Sequence, residues 1–167
     1  MTYSLGEVEA LSRKAARGAG LSWGMAEEAG KAVRWLCSWG LRGTEALAGY
    51  LATRRTAEGP EDPTSSSWRA QSETLCPIIC GTLTSDLADL NTDRHLQGVA
   101  WPLLLVPHAA WTAPEGCVSW RSGEISWGNE VRISGDLMAA FSDTVTLSAA
   151  PRQNGTKCQR TWRADLG

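Results

Sequence analysis

Apolar residues in the first third of the chain recur at helical spacing. Leu5, Val8, Leu11, Ala15 and Ala19 fall roughly on one face behind a Ser4/Glu7 pair that reads as a capping box. A helix is therefore expected from Leu5 until Gly18 and Gly20 stop it. Met25, Ala29, Ala32, Val33 and Leu36 make a second stripe at i, i+4, i+7, i+8 and i+11. Ser22 is placed to cap that helix, with Glu27 and Glu28 near its positive end. Trp35 and Trp39 are i, i+4 neighbours on its flank. Gly40 and Gly43 bracket a tight connection. Thr44 can then cap a third helix carrying Leu47, Tyr50 and Leu51, with Arg54 and Arg55 near its negative end. Three short amphipathic helices joined in this way form a small bundle or a lid over a sheet.

The period changes further on. Residues 57–67, AEGPEDPTSSS, read as an exposed linker. Over residues 68–97 the pattern is ambiguous, with Thr84 or Ser85 placed to cap a short helix through Leu90. Residues 98–106 read as a buried strand that Pro102 pushes to an edge or breaks. Val118 and Trp120, Ile125 and Trp127, and Val131 and Ile133 then alternate with Ser119, Ser126 and Arg132, which is period two. Ser122-Gly123 and Gly128-Asn129 stand between these runs as turn pairs, so an antiparallel meander is expected. Thr144 to Ser148 and Thr156 to Trp162 flank Asn154-Gly155 as a further hairpin. The fold class is α+β, an N-terminal three-helix layer packed on a C-terminal antiparallel sheet. The organisation is a helical subdomain over 1–56, a linker over 57–67 and a mainly β subdomain over 68–167, one compact domain overall.

Composition narrows the function. The chain has 167 residues, 43% hydrophobic and 20% charged, enough apolar material for a real core. A net charge of −2 argues against nucleic acid or an anionic membrane surface as partner. The charge is uneven: residues 1–59 hold 8 basic and 6 acidic groups, and residues 60–167 hold 8 and 12. That weak complementarity suits docking of the two parts on each other. The longest apolar run, Trp101 to Ala110, falls far short of the ~20 residues that span a bilayer. The first residues show no basic start followed by an apolar core, so a cytoplasmic location is expected, with Cys37, Cys76, Cys80, Cys117 and Cys158 reduced. Five cysteines cannot pair completely within one chain. Nine of the aromatic residues are Trp, against 2 Tyr and 1 Phe.

Candidate chemistry is sparse. Cys76-Pro77-Ile78-Ile79-Cys80 has C-x₃-C spacing, unlike redox and zinc pairs, and no second close pair of ligands accompanies it. It reads as buried reduced thiols, and no metal is expected. A Cys–His nucleophile pair from Cys76 or Cys80 with His95 or His108 has no local mark of activation. His108 follows a proline in an apolar stretch and reads as a half-buried packing residue. Glu27 and Glu28 diverge around a helix and cannot act as an acid/base pair; Glu27 is placed to pair with Lys31. No phosphate-binding loop and no nucleophile elbow is present. Arg152, Lys157, Arg160 and Arg163 around Trp162 read as a solvated strand edge.

Two resemblances add to this reading. The run Ser22-Trp23-Gly24-Met25-Ala26-Glu27-Glu28-Ala29-Gly30-Lys31-Ala32-Val33-Arg34-Trp35-Leu36, with the later CPIICGTLTSDLADL and PLLLVPHAA segments, resembles a family of small bacterial proteins known only as a domain of unknown function. That likeness covers most of the chain and implies no activity. Residues 4–51 also resemble the N-terminal helices of the type-2 malate/L-lactate dehydrogenases, including the turn Leu41-Arg42-Gly43. In those enzymes a Ser-His-Gly follows, and its histidine does acid/base work. Here Thr44-Glu45-Ala46-Leu47 stands instead, so the likeness implies a shared helical module without the activity.

The expected function is that of a non-enzymatic accessory or interaction protein. It pairs with another protein, a metabolic dehydrogenase in its most specific form, or with itself, and uses no cofactor. Surplus Trp and Arg, the residues enriched at interface hot spots, motivate this. The expected surface is Trp23, Glu28, Arg34, Trp35 and Arg42, and no catalytic, cofactor or metal residue is assigned. The alternative is a small-molecule-binding protein or enzyme with a pocket between helices and sheet, lined by Trp120 and Trp127 with His95 or His108 as titrating group.

Overall fold

A computed structural model describes residues 2–53, 57–87 and 93–149, and the backbone of 161–162. Helix α1 (Leu5–Gly18) starts where the capping box predicts. The Ser4 backbone N–H donates to Glu7 Oε2 at 2.8 Å, and the Glu7 N–H donates to Ser4 Oγ at 3.2 Å. The Ser4 backbone N–H, and after it the Ser4 hydroxyl donating to the same Oε2 at 2.8 Å, hold the Glu7 carboxyl below its usual range. Helix α2 (Trp23–Ser38) is capped by Ser22, whose Oγ accepts from the Met25 N–H at 3.3 Å. Its apolar stripe is buried through Ala26, Ala29, Ala32, Val33 and Leu36. Helices α1 and α2 cross closely at Gly30, where a Cβ would stand 2.9 Å from the Glu9 carbonyl oxygen. Helix α3 (Gly43–Thr53) completes the layer and buries Ala46, Leu47 and Tyr50.

A second helical tier connects this layer to the sheet. It consists of α4 (Pro77–Leu87), a 3-10 turn (Pro102–Leu105) and α5 (Val106–Thr112). The turn and α5 contact α2 and α3 on one side and strands of the sheet on the other. Every residue from Pro102 to Ala109 is buried.

The sheet comprises β1 (Ser67–Trp68), β2 (Arg94–Ala100), β3 (Gly116–Trp120), β4 (Gly123–Trp127), β5 (Val131–Gly135), β6 (Phe141–Ser148) and β7 (Thr161–Trp162). Its order is β1-β2-β6-β3-β4-β5-β7. β1 runs parallel to β2 and the other pairings are antiparallel, so the sheet is mixed and open. The fold is α+β, with the helices preceding most of the sheet. Trp120 and Trp127 belong to the core, each tying its indole N–H to a backbone carbonyl, of Asp136 at 3.2 Å and Ala113 at 3.0 Å.

Four local expectations are corrected. The helix placed at Thr84 or Ser85 begins at Pro77, and CPIIC forms its first turn. Proline suits that position because its missing N–H would have no helical partner. The Thr82, Thr84 and Ser85 hydroxyls bond back to the carbonyls of Ile78, Cys80 and Gly81 instead of capping. Second, the strand expected over 98–106 ends at Ala100. Trp101 turns the chain with φ +45°, and Pro102 opens the 3-10 turn. Third, β6 does not pair with the last strand; it lies between β2 and β3, while β7 pairs with β5. The turn Asn154-Gly155, the basic residues around it, Arg54, Arg55 and Cys158 lie outside the described residues. Fourth, Lys31 pairs with Glu28 at 2.8 Å and not with Glu27.

Candidate functional site

The outer face of α2 carries Trp23, Glu27, Lys31, Arg34 and Ser38, all exposed and aligned at i, i+4, i+8, i+11 and i+15. Beside it runs α1, and the two helices form a seam. At one end Arg17 lies over the Trp23 ring, 4.5 Å from its centroid, and donates to the Leu21 carbonyl. Trp23 is 67% exposed, an indole left in water but held in place. In the middle Arg34 Nη1 donates to Glu9 Oε2 at 3.0 Å.

At the other end the seam opens into a groove of about 480 Å³. Leu5 and Glu9 of α1 form one wall, and Trp111 of α5 stands among the lining residues with Lys31, Arg34, Trp35 and Ser38 of α2. Trp111 is 43% exposed. Trp35 is half-buried and tilts against Trp39 with ring centroids 5.8 Å apart. Glu28 raises the proton affinity of Lys31 through their hydrogen bond, which keeps that ammonium charged.

The structure thus brings Arg34 and Trp35 together in one groove, with Trp23 on the same seam and Glu28 supporting Lys31. Arg42 stands apart, past the end of α2, and pairs with Glu45 at 3.2 Å. Leu5, Glu9, Lys31 and Trp111 were not singled out from sequence. The stripe pattern assigned Leu5 to the core. Trp111 lies beyond the strand expected over 98–106, on a helix that no polar face marks in the sequence.

The other candidates resolve differently. His108 is fully buried, and neither ring nitrogen finds a hydrogen-bond partner among the described residues, so the half-buried reading is corrected. Trp111 packs edge-on against it at 5.0 Å, and its ring fills the space over Gly81, where a Cβ would overlap it. Burial pushes the imidazole down to about 4, so it is neutral at pH 7. Cys76 and Cys80 are buried, and Tyr50 Oη lies 2.8 Å from Cys76 Sγ. Burial pushes the Cys80 thiol up, away from the reactive thiolate. Cys37 and Cys80 are free thiols. No group of three or more metal-ligating side chains occurs among the described residues. His95 is exposed on β2, 3.3 Å from Thr146 Oγ1. No described helix is long and apolar enough to cross a membrane.

A second groove, of about 500 Å³, lies at the rim of the sheet. Glu61, Glu73 and Asp143 line it with Arg69, Gln97 and the exposed Phe141. Glu73 sits at φ +64°, and its carbonyl fills the space where Gly98 has no Cβ.

The chain belongs to the family described as a protein of unknown function, DUF3726, which matches residues 3–92. No curated protein and no solved structure matches the chain, so the likeness to malate and L-lactate dehydrogenases finds no support in these comparisons.

Proposed function

We propose that this DUF3726 protein is a non-enzymatic accessory protein that docks another polypeptide along the α1–α2 seam. The observation that carries the reading is the groove of Leu5, Glu9, Lys31, Arg34, Trp35 and Trp111. It combines exposed aromatic and aliphatic walls with two half-exposed cations, the chemistry of an interface anchor site. The surface residues assigned to it are Trp23, Glu28, Arg34 and Trp35, with Arg42 outside the seam beyond the end of α2. The net charge of −2 and the thiols of Cys37 and Cys80 support a cytoplasmic partner that is not a nucleic acid. A metabolic dehydrogenase is the specific partner to try first, on the likeness of residues 4–51 alone.

The test is isolation of the tagged full chain from its native host at low salt. Arg34→Glu is compared with Glu73→Gln in the sheet-rim groove. A protein that co-purifies in stoichiometric amount with wild type and Glu73→Gln, and is lost with Arg34→Glu, supports the seam. A chain that elutes alone as a monomer, or a partner retained by Arg34→Glu, overturns it.

A further inference from the structure

The seam is complementary to itself. Its two ends differ: one projects the Trp23 indole, and the other is the groove. The ends are separated by the 12 to 15 residues from Trp23 to Trp35 and Ser38, about 20 Å of helix. Between them the charges are ordered as well. Glu27 is exposed and makes no ion pair among the described residues. Lys31 and Arg34, one and two turns further on, keep about half of their side-chain surface in water despite their intrachain partners.

Resting on the docking reading of this surface, we propose that its occupant is a second copy of the chain, bound antiparallel about a two-fold axis lying across the helices at the level of Gly30. That axis exchanges position 23 with positions 35 to 38 and position 27 with positions 31 to 34. Trp23 of each copy therefore enters the groove of the other over Leu5 and Ser38. Glu27 of each copy stands opposite the partner's Lys31 and Arg34. The interface is isologous, so each of these contacts is made twice and no surface is left to propagate a filament. Arg17 stacked on Trp23 holds the anchor in place before binding, which lowers the ordering cost of association. The sheet-rim groove has no such self-match: it carries three carboxylates and a single arginine.

The experiment is sedimentation of the purified full chain from about 1 to about 200 µM, where mass action shifts the equilibrium. Wild type is expected to approach twice its 18.0 kDa chain mass. Trp23→Ala weakens the dimer at least tenfold. Glu27→Lys alone and the double variant Lys31→Glu/Arg34→Glu alone are each monomeric, because like charges then face each other across the axis. Mixed one to one, those two chains restore a heterodimer, a readout that a folding defect cannot produce. Circular dichroism of each variant confirms that it is folded. A wild type that stays monomeric throughout overturns the proposal, as does a dimer indifferent to Trp23→Ala or a mixture that fails to pair. If the wild type is monomeric yet a different protein still needs Arg34, the second copy fails and the docking reading stands. If neither copy nor partner needs Arg34, both fail.

Discussion

The outer seam and the inner tier of this protein are made from different materials. The seam has charged and aromatic groups in water, joined by ion pairs such as Arg34–Glu9 and Lys31–Glu28 whose side chains are partly exposed. Such pairs contribute little to stability. The tier of α4, the 3-10 turn and α5 carries a continuous buried stretch, fully buried Leu104 and Ile78, and an imidazole sealed away from every polar partner described. Stability therefore rests mainly on the tier, and the seam is left facing water. A substitution should disturb one without the other.

The largest effect expected is from Leu104→Ala, which removes a fully buried side chain and leaves a cavity. It should lower unfolding stability in urea by about 2–5 kcal/mol. Next is acid. The folded His108 pKa of about 4 lies below the value of about 6.5 in an unfolded chain, so between those values only the unfolded state takes up this proton. Stability should fall as pH drops through that window, by about 3 kcal/mol in all at the lower end. The difference between wild type and His108→Phe isolates it; equal pH slopes in the two would show that this imidazole is not sealed. Gly81→Ala comes third. Its methyl meets the His108 ring, and overpacking of this kind costs about 1–3 kcal/mol, read as a lower urea midpoint. Smallest is the seam itself: at chain concentrations where the protein is monomeric, Trp23→Ala and Arg34→Gln should move stability by no more than about 0.5 kcal/mol. A larger loss from either would show that the seam also holds the fold together and would break the contrast.

The seam was more legible in the sequence than the tier, for physical reasons. Amphipathic helices with caps at Ser4 and Ser22 announce both their ends and their faces, so Trp23, Arg34 and Trp35 could be placed on a surface. The meander was legible as well, because Val118, Trp120, Ile125 and Trp127 alternate at period two and bury as that period demands. The tier is buried on both sides and has no polar face to set a period. Residues 98–106 thus read as a strand, although from Pro102 on they fold as a 3-10 turn and the start of a helix. His108 went the same way. Nothing near it in sequence marks Gly81, whose missing Cβ makes the room for its ring. The position of β6 was hidden by distance, since strand pairing beyond a hairpin leaves no local trace.

That long-range pairing has a consequence for synthesis on the ribosome. Ala100 pairs with Phe141 and Arg94 with Leu147, so the central seam of the sheet closes only after the meander has been made. Loop closure over that span must precede its contacts, which makes it a slow step. The stretch 3–92 that matches the family emerges before the turn and α5, which pack on α2, α3 and α4. A nascent chain paused there would show Ile78 and Leu75 to the chaperones that watch the exit tunnel. A truncation at residue 92 would therefore make a poor expression product, for all that it contains the whole of α1 and α2.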